Sequence, residues 1–230
     1  MSLTRVLYRD SVFFFAFFLA SAVVAFWSGY LSVIADESLH HHVHGIVMTL
    51  WLSILICQAF LIRSGRRALH AQVGRLSYVL APLVLFSIIV IAHLRAVALP
   101  GAGRGDELLA LQLISGVPFF ALTYGLAILK RSDTAAHARF MLCTPLPMTG
   151  PIFNRILSQY FGVSPAGTFT LPAVDLLLFG LSVWDWKTNR RMVFPVLLAA
   201  NVISRTVAVS IYETQAWNAF VAWFVSLPLS

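Results

Sequence analysis

Apolar runs recur along the chain at roughly 12–34, 44–62, 76–98, 108–129, 140–157, 170–186 and 192–211. Each approaches the ~20 residues that a helix needs to cross the hydrocarbon core of a bilayer. The pattern predicts an all-α, polytopic membrane protein with seven transmembrane helices. The tail over 212–230 contains "AWNAFVAWFVSL". It is too short to span, and Trp217 and Trp223 suit a segment lying at the outer interface. No internal repeat, low-complexity tract or linker interrupts the chain, so residues 1–230 read as one transmembrane helical domain.

The fifth run breaks the pattern. Its "MLCTPLPMTGPIF" carries Pro145, Pro147, Gly150 and Pro151, which one regular helix cannot hold without freeing backbone carbonyls. In a membrane such backbone survives where protein or a water-lined cavity satisfies it. Two readings follow: a simple kink, or a broken helix beside a cavity.

Composition agrees with a membrane chain, since 59% of residues are hydrophobic and 11% charged, against about a quarter charged in soluble domains. The net charge of +7 does not point to nucleic acid, because the basic residues fall in short gaps between apolar runs and leave no soluble basic domain. Twelve of the sixteen sit at the N-terminus or in alternate gaps: Arg5, Arg9, Arg63, Arg66, Arg67, Arg75, Lys130, Arg131, Arg139, Lys187, Arg190 and Arg191. The other side has Arg95, Arg104, Arg155 and Arg205. The positive-inside rule then predicts an N-terminus in the cytoplasm and a C-terminus outside. "VFFFAFFLASA" imitates a signal peptide, but the apolar run continues to Ile34 and predicts an uncleaved first span. Cys57 and Cys143 lie inside apolar segments and read as buried small side chains.

The densest polar feature is "DESLHHHVHG", residues 36–45, at the outer mouth of the second span. On a helix, His40 and His41 both neighbour His44. In an extended lead-in, His40, His42 and His44 share one side. His93 closes the third span on that same face. Imidazole suits zinc, copper, iron and haem. The alternative is a set of interfacial histidines that contact head groups and water. Further polar groups converge on the outer half: Arg155 at the end of the fifth span, Asp175 within the sixth, and Asn201 and Arg205 within the seventh. Asp175 with Arg205 or Arg155 reads as an ion pair that locks helix packing, or as a proton acceptor at a cavity. On the inner face, "RRALHAQVGR" and "HARF" place His70 and His137 among arginines, where contact with anionic lipid is favoured over haem ligation. His70 and His93 lie 23 residues apart, or about 35 Å on one helix, too far to share a cofactor. No Gly-x-Ser-x-Gly, His-Glu-x-x-His or repeated His-x-x-His motif occurs. Lys130 and Lys187 are both loop residues, which excludes a retinal Schiff base.

The stretch "HHHVHGIVMTLWLSILICQAFLIRSGRRALHAQVGRL", continued by "HARFML", "NRIL", "DWKTNRRMVFP" and "AWNAFVAW", resembles a widespread bacterial family of uncharacterised predicted multi-pass membrane proteins with a His-rich second helix. The matching positions are His40, His42, His44, Gly45, Trp51, Gln58, His70, Gly74, Arg75, His137, Arg155, Asp185, Pro195 and Trp217. Ala71 and Ala138 stand where that pattern often has an arginine after the histidine, and Phe194 where a histidine often precedes the proline. The resemblance implies a multi-pass helical fold and carries no reaction with it.

Three functions are expected from these readings. The first is a metalloprotein holding a metal ion (zinc, copper or iron) or haem b in the outer half. His44 and His93 would be its central ligands, helped by His40, His41 or His42. Haem would serve electron transfer, and a metal with an open position would serve oxidation or hydrolysis of a lipid-soluble substrate. The second is a transporter or binding protein for a small amphipathic or anionic ligand, with Arg155, Asp175, Asn201 and Arg205 around a cavity. The third is a non-catalytic subunit of a larger membrane complex.

Overall fold

A computed structural model of the chain describes residues 3–98, 104–163 and 167–229; the side chains of Arg5 and Arg104, both counted in the loop charge, lie outside it. The described residues are mostly helical, joined by short turns, and hold no strand. Five helical segments are long and apolar enough to cross a membrane: Arg9–Phe26, Leu39–Arg63, Ser77–Ala98, Gly105–Leu129 and Val193–Ile211. They fall in α1 (Leu3–Phe26), α2 (Leu39–Arg63), α4 (Ser77–Ala98), the joined pair α5 (Arg104–Ala110) and α6 (Val117–Leu129), and α10 (Val193–Ile211). Among the described residues these five helices, where seven are expected, suggest a helical membrane protein.

The remaining two expected spans are built differently. The fifth becomes α7 (Thr134–Cys143), a short 3-10 turn at Leu146–Met148 and α8 (Thr149–Phe161). The break falls at Pro145 and Pro147, where proline denies the ladder its N–H. The sixth is α9 (Gly167–Asn189), 23 residues long and carrying Asp175, Asp185 and Lys187. Both run between the same two ends of the bundle, since α7 meets α9 through Arg139 and Asp185 while α8 meets it through Asn154 and Thr170.

Other boundaries shift for local reasons. α1 stops at Phe26, and a 3-10 turn over Leu31–Asp36 leads into α2. Ser38 caps α2 by accepting from the His41 N–H at 3.4 Å, so the histidines form the helix's first turns rather than a loop before it. Gly65 takes φ 75° after α2, a left-handed conformation that glycine adopts without steric cost. It turns the chain into α3 (Arg67–Gly74), a helix within a segment expected to be loop. The interfacial tail is a helix, α11 (Gln215–Val225), whose Trp217 and Phe224 bury against α4 while Trp223 stays exposed.

Between lipid tails the hydrophobic effect drives little helix association, so close backbone packing and polar contacts matter more. The buried face of α4 shows this, for Ser77, Ala81, Val84 and Ser87 follow one another at helical spacing and admit α2 closely. Trp51, Leu55, Val84 and Phe120 centre the packing there. Large apolar side chains point outward instead: Phe13 is 62% exposed, Val79 66% and Leu176 70%, as lipid contact requires.

Side-chain contacts define two ends. At the basic end Arg63 reaches the Arg9 carbonyl at 2.8 Å, Arg131 donates to the Tyr78 hydroxyl at 3.0 Å, and Arg191 pairs with Asp133. The histidine end holds the start of α2, the end of α1 and the end of α8, where Tyr160 donates to the Val24 carbonyl at 3.2 Å.

Candidate functional site

The histidine cluster is dispersed among separate neighbours. His40 is half-buried on the first turn of α2. His41 turns to Glu37 (2.9 Å) and Ser38 (3.0 Å) at an exposed surface. His42 Nδ1 meets the Tyr30 hydroxyl at 2.9 Å. His44 points to α4, with Nδ1 3.1 Å from Ser87 Oγ.

His93 is fully buried, edge-on to Phe224 with ring centroids 5.3 Å apart, and neither ring nitrogen has a partner within the protein. It stands six residues beyond Ser87, about 9 Å along the axis and about 240° around it. The structure thus brings His44 to the α2–α4 contact and His93 to the α4–α11 contact, not to one another. Among the described residues no group of three or more His, Cys, Asp or Glu side chains could hold a metal ion. These histidines are not arranged as the expected ligand set for a metal or a haem.

The second expected constellation forms in part. Asp175 of α9 pairs with Arg205 of α10, accepts from Asn201 Nδ2 at 2.8 Å, and Arg205 also donates to the Leu171 carbonyl at 3.3 Å. The pair is mutually satisfied and ties α9 to α10. Arg155 is not part of it. Its guanidinium lies 4.5 Å over the Phe26 ring and donates to Pro151. An ion pair not anticipated lies deeper: Arg139 and Asp185 have fully buried side chains and form two hydrogen bonds of 2.7 and 2.6 Å. Asn189 adds 2.9 Å to the same carboxylate. Arg139, counted from sequence among loop charges, is in fact buried on α7. Five residues of α7 separate it from the loop, and its side chain reaches Asp185.

The open site is at the other end. A cavity of about 790 Å³ lies between α1, α2, α3, the start of α4 and α7. Its floor is apolar, with Phe15, Leu55, Ala59, Met141 and Leu142. Its rim carries three guanidinium groups, Arg67, Arg75 and Arg131, and two imidazoles, His70 and His137. Among the described residues no carboxylate lines it. Among the described residues neither Arg67 nor Arg75 pairs with an acidic side chain.

Two residues of this lining, Gln58 and His70, hold polar atoms without a partner among the described residues. Both amide atoms of Gln58 are shielded from solvent and make no hydrogen bond within the protein, as is also true of His70 Nδ1. Gly74 packs onto the amide, and a Cβ there would stand 3.6 Å from Gln58 Nε2. His70 and His137 lie with ring centroids 6.3 Å apart and planes perpendicular. His137 is oriented by the Ala127 carbonyl, 2.9 Å from its Nδ1. Burial pushes the His70 imidazole below its ordinary pKa; its contact with the Gln58 main chain opposes this, and His137 lowers it further. His70 is therefore neutral at neutral pH.

Sequence reading placed His70 and His137 at a lipid surface and passed over Gln58 as a site residue. The signal was a single amide in the apolar "LICQAFL", since a polar group inside a span needs a partner. No family model, no curated protein and no solved structure matches the chain.

Proposed function

We propose that this protein binds a single-chain amphipathic anion, drawn from the leaflet at its basic end, as a binding protein or a transporter. The observation that carries this reading is the cavity itself, lined by apolar side chains together with Arg67, Arg75 and Arg131 and, among the described residues, by no carboxylate. An alkyl chain fits the floor, and an oxyanion fits the rim, where Arg–oxyanion hydrogen bonds are charge-assisted. Gln58 and His70 offer hydrogen bonds that the protein leaves unmade. Five positions of the family resemblance support the same reading, because Gln58, His70, Gly74, Arg75 and His137 all line the cavity. We likewise infer membership of that family of multi-pass membrane proteins.

The test is direct binding of laurate and dodecyl phosphate to the protein in phosphatidylcholine nanodiscs. The Arg67→Ala, Arg75→Ala double variant should bind at least about tenfold more weakly, or ~1.4 kcal/mol. Equal binding by variant and parent removes the proposal.

The charge distribution supports a seven-pass topology in the bacterial inner membrane, with α7–α8 and α9 as the additional passes, the N-terminus cytoplasmic and the C-terminus outside. Reporter fusions after Arg131, Arg190 and Glu213 check this. The first two should report cytoplasm and the third the opposite side.

A further inference from the structure

The rim holds more positive charge than a carboxylate can answer. A carboxylate brings one charge and two oxygens, whereas Arg67, Arg75 and Arg131 bring three guanidinium groups around one opening. A phosphate monoester brings close to two negative charges at neutral pH and three terminal oxygens, and guanidinium matches phosphate geometry bidentately. Gln58 offers a donor and an acceptor at once, both unpartnered. His70 offers an unpartnered nitrogen that becomes a donor only when it takes up a proton.

We propose that the cavity recognises the phosphate monoester head of a single-chain lipid, and that binding it transfers one proton from solvent to His70, so that an imidazolium faces the phosphate. This deepens the reading of the cavity as an anion site and rests on it. The geometry is specific. His137 cannot turn freely, because its Nδ1 is engaged by Ala127, and it holds its ring against His70.

The other charged and titratable groups around His70 leave it as the group most open to change. On α3 and the following turn these are Arg66, Arg67 and Arg75, all permanently cationic. α4 adds Tyr78, which accepts from Arg131. Before α7, Asp133 is held by Arg191, which keeps its carboxyl below the usual carboxylate range. On α1, Asp10 lies beside Arg9 and Arg63. Burial and His137 disfavour the His70 imidazolium. A phosphate at the rim reverses that balance. Proton uptake by His70 makes affinity rise as pH falls between its depressed and raised titration points, while the phosphate monoester's own second ionisation at about pH 6 works the other way, so the parent's uptake is read against that of His70→Gln.

Calorimetry of the protein in phosphatidylcholine nanodiscs, repeated in two buffers of different ionisation enthalpy at neutral pH, reads both parts. Dodecyl phosphate should bind about tenfold or more tighter than laurate and than dodecylphosphocholine, a step of ~1.4 kcal/mol, with net proton uptake. His70→Gln should bind dodecyl phosphate more weakly and lose most of the uptake, and size-exclusion and circular dichroism profiles matching the parent show that it folds. His137→Gln should lower the uptake less. Inorganic phosphate should bind far more weakly than dodecyl phosphate; equal affinity overturns the lipid assignment. Laurate and dodecyl phosphate binding alike, or unchanged uptake in His70→Gln, overturns this inference while the anion site stands. Failure of every amphiphile to bind removes both.

Discussion

The two ends of the bundle carry similar amounts of polar chemistry and use it in opposite ways. At the histidine end most polar groups meet each other: His41 with Glu37, His42 with Tyr30, His44 with Ser87, and Asp175 with Asn201 and Arg205. At the basic end Gln58 and His70 keep unmade hydrogen bonds, and Arg67 and Arg75 keep unpaired charge, around a cavity of about 790 Å³. Density of chemistry-bearing residues therefore does not mark the site. Unsatisfied bonding capacity next to open volume marks it, because a bound molecule gains only from groups that the protein has not already engaged. His93 sharpens the rule. Its nitrogens are also without a partner among the described residues, but the whole residue is buried against Phe224, whereas Gln58 and His70 are partly exposed residues of the cavity lining.

The largest effect comes from removing what fixes α7 beside the cavity. Asp185→Asn or Arg139→Met leaves a buried charge without its partner, and should cost about 3–5 kcal/mol in thermal or denaturant unfolding. The double replacement should recover much of the loss.

Gln58→Leu tests the comparison most sharply. Its amide makes no bond in the empty protein, so the variant should be as stable as the parent or more so, by up to about 1–2 kcal/mol, while ligand affinity falls. A destabilised Gln58→Leu protein would show that the amide is structural. Asp175→Asn at the histidine end should do the reverse. It should cost about 1–2 kcal/mol, between the surface and buried limits for ion pairs, and leave ligand binding intact. Ser87→Ala removes the partner of His44 and should cost about 1 kcal/mol, again without effect at the cavity.

The smallest effect is on acid stability. The His70 titration point is lowered by folding, so the folded state binds fewer protons than the unfolded chain around pH 6. Its stabilising contribution is complete above the ordinary histidine pKa of about 6.5 and declines as pH falls below it. The melting temperature of His70→Gln should thus drop less between neutral and mildly acidic pH than that of the parent.

Much of the fold was legible in the chain because a bilayer imposes a simple rule on sequence. Helical spans must be apolar over some twenty residues, and five of the seven expected runs meet that rule of length and composition. The proline-laden "TPLPMTGP" correctly foretold a break between α7 and α8, because proline acts locally. The Asp175–Arg205 pair was legible for a related reason, as an ionisable residue inside a span needs a partner and few are within reach.

The amino-acid sequence by itself thus determined the helical class, the apolar stretches of spanning length, the proline break and the excess of basic residues in alternate gaps, since each follows from periodicity, local backbone chemistry or loop charge. Only the tertiary structure decided which polar groups spend their bonding capacity on one another and which do not. His44 and His93 share a face in the one-dimensional reading, but their azimuths on α2 and α4 send them to Ser87 and Phe224. Gln58, His70 and His137 lie on three helices, and only helix packing sets them around one opening. The physical reason is that rotation about a helix axis is fixed by contacts between distant segments, and no local rule in the sequence encodes it.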